Sequence, residues 1–385
     1  MRILMIGQKG LPASYGGIER HVEDLSTELV KRGHEVLAYA REWYTPKLIH
    51  NYRGIRVIHT PTFHTKHLDS FTHTLTSTIH ALFQKPDVIH YHGVGPSLLS
   101  WIPRLVLPKT RVINTFHCID RYHQKWGYFA KLILRLGEWA TCRFPHETIV
   151  VSQTILNYCL NEYHKNTNYI TNGVSPAHEP LSAAWLSEWN LEPNKYVLMV
   201  SRLVRHKGAH YLIEAWQFAR QQYPELLRGH KLMITGDSSF TDSYVKELRR
   251  LARGDKSIVF TGWQNGACLM SLYAHAKLLV HPSENEGTPI SVLQAMALGK
   301  AVLLSDIPEH KELISDSSFW FAATSIGSLS DKLKELLNNQ KLLDAAGKEN
   351  QKIVRHKYNW TKLADEVLAL YCKGKEYRTA KLKPA

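Results

Sequence analysis

The sequence predicts an α/β fold of two doubly wound, Rossmann-like domains facing a central cleft. Short apolar strand signals alternate with helical ones through residues 1–178, a stretch with three prolines at 172–195 breaks the rhythm, and the alternation then begins again. Repeated strand, helix, strand order implies a parallel sheet covered by helices, because each crossover must pass over a face of the sheet.

The first unit opens with "RILMIG" as a buried strand, followed by the glycine-rich turn "QKGLPASYGG". In "IERHVEDLSTELVKRG" the apolar Ile18, Val22, Leu25 and Leu29 fall on one helical face, Gly33 stops the helix, and "HEVLAYA" supplies the next strand. "IRVIHT", "DVIHYH", "RVINTFH" and "ETIVVS" continue the sheet, which gives a first domain over 1–178. The prolines make 172–195 the linker candidate. Beyond it "YVLMVSRL", the helix "AHYLIEAWQFARQQY", "HKLMITGD", "SIVFTGW", "KLLVHPS" and "AVLLSD" repeat the pattern, giving a second domain over 179–359.

With 385 residues, 44% of them apolar and 21% charged, the chain can bury two or three cores. No apolar run reaches the roughly 18 to 20 residues of a membrane span, and the N-terminus reads as a first strand and not as a signal peptide. Five cysteines without C-x-x-C spacing suggest neither a zinc ribbon nor a disulfide framework, and a reducing cytoplasm suits them. The net charge of +14 favours phosphates, nucleic acid or anionic lipid without choosing among them. Basic and aromatic residues form no nucleic-acid module, so no nucleic-acid partner is expected. The histidine-rich run from His59 to His92, which includes His67, lacks H-E-x-x-H and a completing carboxylate or cysteine. The chain also lacks a D-x-D pair, so no metal and no cofactor is expected.

Open parallel sheets bind ligands at the carboxyl ends of their strands, so the cleft between two such domains is the natural site. Arg202 and Lys207 in "SRLVRHKG" follow a strand and precede a helix, where two cations and free amides suit a diphosphate; an exposed basic turn is the alternative. Gly10, Gly16 and Gly17 let backbone amides approach a ligand, although the spacing is not G-x-G-x-x-G and a turn without a ligand stays open. His117 ends a strand, with Asp120 and Arg121 just after it, and can hydrogen-bond a substrate hydroxyl or act as a base.

These residues resemble the retaining glycosyltransferases of GT-B architecture, family four. The resemblance rests on "YGGIERHVEDLSTELVKRGHEV", "DVIHYHG", "TFHCID", "TNGV", "VSRLVRHKG", "FTGW", "HPSENEGTPISVLQAMALGKAVLLSDIPEH" and "YNWTKLADEVLALY", in that order. "GQKGLPASYGG" and "KHLDSFTHTL" further resemble the bacterial branch that builds rhamnose-containing surface polysaccharides. The resemblance implies an acceptor-binding first domain, a last helix at about 360–385 packed back on it, and a donor-binding second domain. It implies that Arg202 and Lys207 hold the donor diphosphate and that Glu286, the first acid of an E-x7-E motif, sits beside the donor sugar. It places Gly16 and Gly17, and the segment Gly287, Thr288, Pro289 and Ile290, against the donor, and His117 near the reacting centre. Tyr15, His117, Asp120 and Arg121 fall on the acceptor side. The second motif acid is replaced by Gln294, whose amide accepts from one ribose hydroxyl where a carboxylate accepts from both. The implied reaction moves a sugar from a nucleotide-diphosphate donor to a saccharide or lipid-linked acceptor with retention. A GT-B-shaped epimerase and a non-catalytic sugar-nucleotide binder are the alternatives.

Residues 121–143 combine Arg121, Lys125, Lys131, Arg135 and Arg143 with Trp126, Trp139 and aliphatic residues at helical spacing. That composition suits a helix lying on the anionic inner face of a plasma membrane, or a packed helix with a solvated basic face. The basic tail "CKGKEYRTAKLKPA" would add attraction.

Overall fold

A computed structural model of the chain describes residues 1–65, 68–122, 127–175 and 181–373. His67, Lys125, Trp126, residues 176–180 of the expected linker and the basic tail beyond 373 lie outside the described residues.

The first sheet has eight strands: β1 Arg2–Ile6, β2 Glu35–Ala40, β3 Asn51–Tyr52, β4 Ile55–His59, β5 Val88–His92, β6 Arg111–Phe116, β7 Glu147–Val150 and β8 Asn168–Tyr169. They lie in the order β3-β4-β2-β1-β5-β6-β7-β8, parallel except for the β3–β4 pair. The second has six parallel strands: β9 Tyr196–Val200, β10 Lys231–Thr235, β11 Ile258–Gly262, β12 Leu278–His281, β13 Val302–Ser305 and β14 Trp320–Phe321, in the order β11-β10-β9-β12-β13-β14.

The apolar strands are apolar because both faces are covered. On β1, Ile3 and Met5 pack with Val22, Leu25 and Leu29 of the helix Gly17–Lys31, while Leu4 and Ile6 point to the other face and meet Tyr39, Ala81 and Tyr91. This is the period-two alternation of a strand buried twice. One continuous core, with Trp216 fully buried, fills the second domain.

In each sheet the strand order reverses between two central strands, β1 and β5 in the first and β9 and β12 in the second. Loops leaving such a reversal diverge and open a crevice at the carboxyl edge. The last helix, Trp360–Cys372, returns to the first domain: the Trp360 indole donates to Asp24 at 3.2 Å, and the Tyr371 hydroxyl lies 2.6 Å from His90 Nδ1. Burial pushes the Asp24 carboxyl up to about 6. The returning chain runs beside the outgoing one, since Val174 bridges Asn359 and its amide donates to the Tyr358 carbonyl at 2.9 Å.

Candidate active site

The two carboxyl edges enclose a cleft of about 300 Å3. Tyr15, Gly16, Gly17, His117 and Asp120 line it from the first domain, and Arg202, Lys207, Glu286, Gly287, Thr288, Pro289, Ile290 and Gln294 from the second. The residues singled out in the sequence therefore meet in one place, with two exceptions. Gly10 is not among the lining residues and lies instead against Thr45 and Tyr44. Arg121, expected on the acceptor side, is not among the lining residues. Its guanidinium reaches Glu138 at 3.1 Å and the Tyr158 hydroxyl at 2.7 Å. Glu138 is fully buried and also accepts from Tyr158 and Tyr163. An interior carboxylate without a cation is costly, and that need draws Arg121 away from the cleft.

Glu286 is 7% exposed, and its Oε1 accepts from Lys207 Nζ at 2.5 Å and His281 Nε2 at 2.7 Å. Burial alone would raise its pKa, but the Lys207 charge and the His281 hydrogen bond outweigh it and hold the carboxyl well below the usual range. The acid is thus ionised and oriented. Arg202 lines the same cleft, half-buried, and makes no ion pair among the described residues.

Downstream of Glu286 the chain turns directly onto the first domain. A Cβ at Gly287 would lie 2.0 Å from the His117 carbonyl oxygen, so only glycine allows this approach. Thr288 Oγ1 donates to the Val151 carbonyl at 2.5 Å, and Asn172 Nδ2 donates to the Thr288 carbonyl at 2.8 Å. The helix Ile290–Ala297 then begins at Pro289 without a side-chain cap. Its first amides have no helical partner, and the positive end of its dipole meets the cleft. One turn on, Gln294 stays half-buried at the cleft while Met296 is fully buried.

His117 belongs to a buried histidine cluster. Its Nε2 lies 3.3 Å from His92 Nδ1, and its ring meets that of His21 edge-on at 4.8 Å. Burial, helped by His21 and His90, lowers the His117 pKa far below the ordinary value. It is a neutral imidazole, able to donate or accept but carrying no charge. His21, His92 and His117 each offer one ring nitrogen within 4.8 Å of the others, as do His281, Glu286 and His310 with their ligand atoms. Lys207 already occupies Glu286 in the second group.

Three residues escaped the sequence reading. His281, at the end of β12, orients Glu286; it opens the segment "HPSENEG", but nothing in the sequence marks it as the partner of Glu286. Asn172 falls in the stretch read as a linker, yet it is buried, its Oδ1 accepts from His21 Nδ1 at 2.8 Å, and its Nδ2 donates to Thr288, which ties the two domains together. Trp263, at the end of β11, stacks on Tyr15 across the cleft at 5.1 Å between ring centroids; its signal was an aromatic residue just past a strand end.

Two facing parallel-sheet domains with a cationic cleft between their carboxyl edges define the GT-B architecture. Residues 15–178 match the family described as Glycosyltransferase Family 4, and residues 184–353 match Glycosyl transferases group 1. The chain belongs to the glycosyltransferase superfamily and carries both of its domains. An uncharacterized glycosyltransferase of Methanocaldococcus jannaschii is 24% identical, covering 96% of this chain and 98% of its own. O-antigen chain mannosyltransferase B of Escherichia coli is 25% identical over 82% of this chain and 86% of its own. An Anabaena protein solved in complex with UDP-glucose superposes with a TM-score of 0.77 at 20% identity, covering 96% of this chain and 98% of that one.

Proposed function

We propose that this glycosyltransferase moves a sugar from a nucleoside diphosphate sugar to a hydroxyl of a saccharide or lipid-linked acceptor. The transfer proceeds with retention and without a metal ion, as a step in bacterial surface polysaccharide synthesis. The observation that carries this reading is the convergence of Arg202, Lys207 and an ionised Glu286 on one cleft between two sheet edges. In this reading residues 179–359 bind the donor, and residues 1–178 with the last helix bind the acceptor. The UDP-glucose complex of a protein with the same fold and the O-antigen relative support the donor class and the pathway. The five cysteines form no disulfide among the described residues, which suits a reducing cytoplasm.

Breaking the bond to the anomeric carbon leaves a growing negative charge on the diphosphate. Arg202 and Lys207, with the amides that open the helix Ile290–Ala297, stabilise it and do the work a divalent cation does elsewhere. Lys207 and His281 both bond Oε1 of Glu286 and fix the carboxylate in the cleft, and in this reading its role is positioning and charge stabilisation, not attack. It positions sugar hydroxyls and offsets the positive charge that builds on the ring. Neutral His117 hydrogen-bonds a hydroxyl on the first-domain side, Asp120 and Tyr15 face the acceptor, and Gln294 reaches the ribose. The incoming hydroxyl then adds from the face the diphosphate leaves and passes its proton to the departing diphosphate oxygen, which gives retention.

A melting-temperature screen against UDP, GDP and dTDP tests the donor side, since a ligand that binds only the native state raises its stability. One nucleotide is expected to raise it by several degrees, and the product of its sugar donor keeps the donor's anomeric configuration by NMR. No shift with any of the three, or an inverted product, overturns the proposal.

A further inference from the structure

The helix Tyr128–Arg143 turns an unusually apolar face to solvent. Tyr128 is 88% and Phe129 73% exposed, and Leu132, Ile133, Leu136 and Trp139 are each at least 40% exposed. At 3.6 residues per turn these six occupy an arc of about 140°. Lys131 and Arg135 border that arc, and Arg143 extends it at the last turn. The short helix Trp101–Val106 carries the face further, with Leu105 73% exposed. Between the two helices Trp101, Leu105, Phe144, Arg104 and Arg143 line an open groove. No carboxylate is among the exposed residues of either helix: the one acid in them, Glu138, is fully buried against Arg121.

A soluble surface seldom leaves so many large apolar side chains contiguous without a partner. No helix among the described residues is long and apolar enough to cross a membrane, so the face is suited to lying on a bilayer, not to entering one as a span. Cations on an apolar face, with no acid beside them, complement anionic headgroups, and their aliphatic stems allow the charge to stay at headgroup level while the rings go deeper. We propose that the helices Trp101–Val106 and Tyr128–Arg143 form a docking surface for a bilayer containing anionic phospholipid, with Arg104 and Arg143 in the groove receiving a headgroup phosphate. Asp120 lines the cleft eight residues before Tyr128, a chain reach of at most about 29 Å, so docking sets the first-domain side of the cleft near the lipid surface. The surface is independent of which sugar is transferred.

Vesicle flotation of the full chain tests this, using phosphatidylcholine alone and phosphatidylcholine mixed with phosphatidylglycerol, at low and high salt. The chain is expected to float with the anionic vesicles and to do so less at high salt. The pair Phe129→Ser with Leu136→Ser, and separately Lys131→Glu with Arg135→Glu, should each lower the partition coefficient by about 10-fold or more with melting temperature unchanged. Equal flotation with neutral and anionic vesicles, no flotation, or full flotation by either double variant overturns the proposal. So does a concentration-dependent dimer that the same substitutions dissociate, which would assign the face to a second copy of the chain.

Discussion

At the scale of single residues, Lys207 and Glu286 form a unit whose parts fail differently. Lys207→Ala leaves a buried carboxylate without its cation and with His281 as its hydrogen-bond partner, at a cost of about 3 kcal/mol in stability and about 100-fold or more in turnover. Adding Glu286→Gln removes the stranded charge, so the double variant should regain most of the stability but none of the activity; denaturant melts and rate measurements on the same samples separate the two. Gln294 is the place where the motif departs from its family. If its amide reaches the ribose, Gln294→Glu exchanges a neutral hydrogen bond for a charged one, worth about 1 kcal/mol or about 5-fold in nucleotide affinity. Titration calorimetry reads that gain, and an unchanged constant would remove residue 294 from the ribose. Glu286, Arg202 and Lys207 were legible because they follow strand ends within segments of a recognisable order. Arg121 was misread for the opposite reason: its partner Glu138 lies 17 residues on, and nothing in the local pattern announces that the acid is buried.

At the scale of elements, the helix and turn that follow β12 and β13 set both geometry and pH response. Glu309, buried in the first turn of the short helix Pro308–Lys311, has its pKa raised to about 7 by burial first and then by nearby Glu286 and Glu312. A carboxyl raised in the folded state stabilises the fold fully below its unfolded value of about 4.5 and loses that contribution as pH climbs through 7. Stability should therefore fall by about 2 kcal/mol between pH 4.5 and 7.5 from this group, and Glu309→Gln should flatten that slope in pH-dependent denaturant melts. The turn at Gly287 is less forgiving. Gly287→Ala drives a methyl against the His117 carbonyl, so the two domains must part while each sheet keeps its own core. Activity is expected to drop about 100-fold or more with little change in far-UV circular dichroism; near-normal activity would show that the close approach is dispensable. Helices and strands of this kind were readable from apolar period and glycine stops. The docking of Thr288 and Asn172 was not, because a proline-bearing stretch reads as a linker until its first residues are seen buried between the sheets.

At the scale of the whole molecule, two reversals of strand order face each other, and the chain passes between domains along two adjacent segments. That arrangement was legible as a repeated α/β rhythm, but the way the domains touch was not, since contacts such as Glu312 with the Gln153 and Thr154 amides join residues about 160 positions apart. If Arg202 and Lys207 carry the diphosphate charge, turnover should survive chelation: excess EDTA is expected to leave the rate within about 2-fold, while a loss restored by added Mg2+ or Mn2+ would require an ion in the cleft. The central claim is that the cationic cleft activates a nucleoside diphosphate as a leaving group. Its most direct measurement is nucleoside diphosphate release from the sugar form of whichever nucleotide raises the melting temperature, with and without an acceptor pool, for the native chain and for Arg202→Ala. The account predicts release that depends on acceptor and falls by about 100-fold or more in Arg202→Ala without loss of fold. Release that ignores the acceptor, or that Arg202→Ala leaves intact, would contradict it.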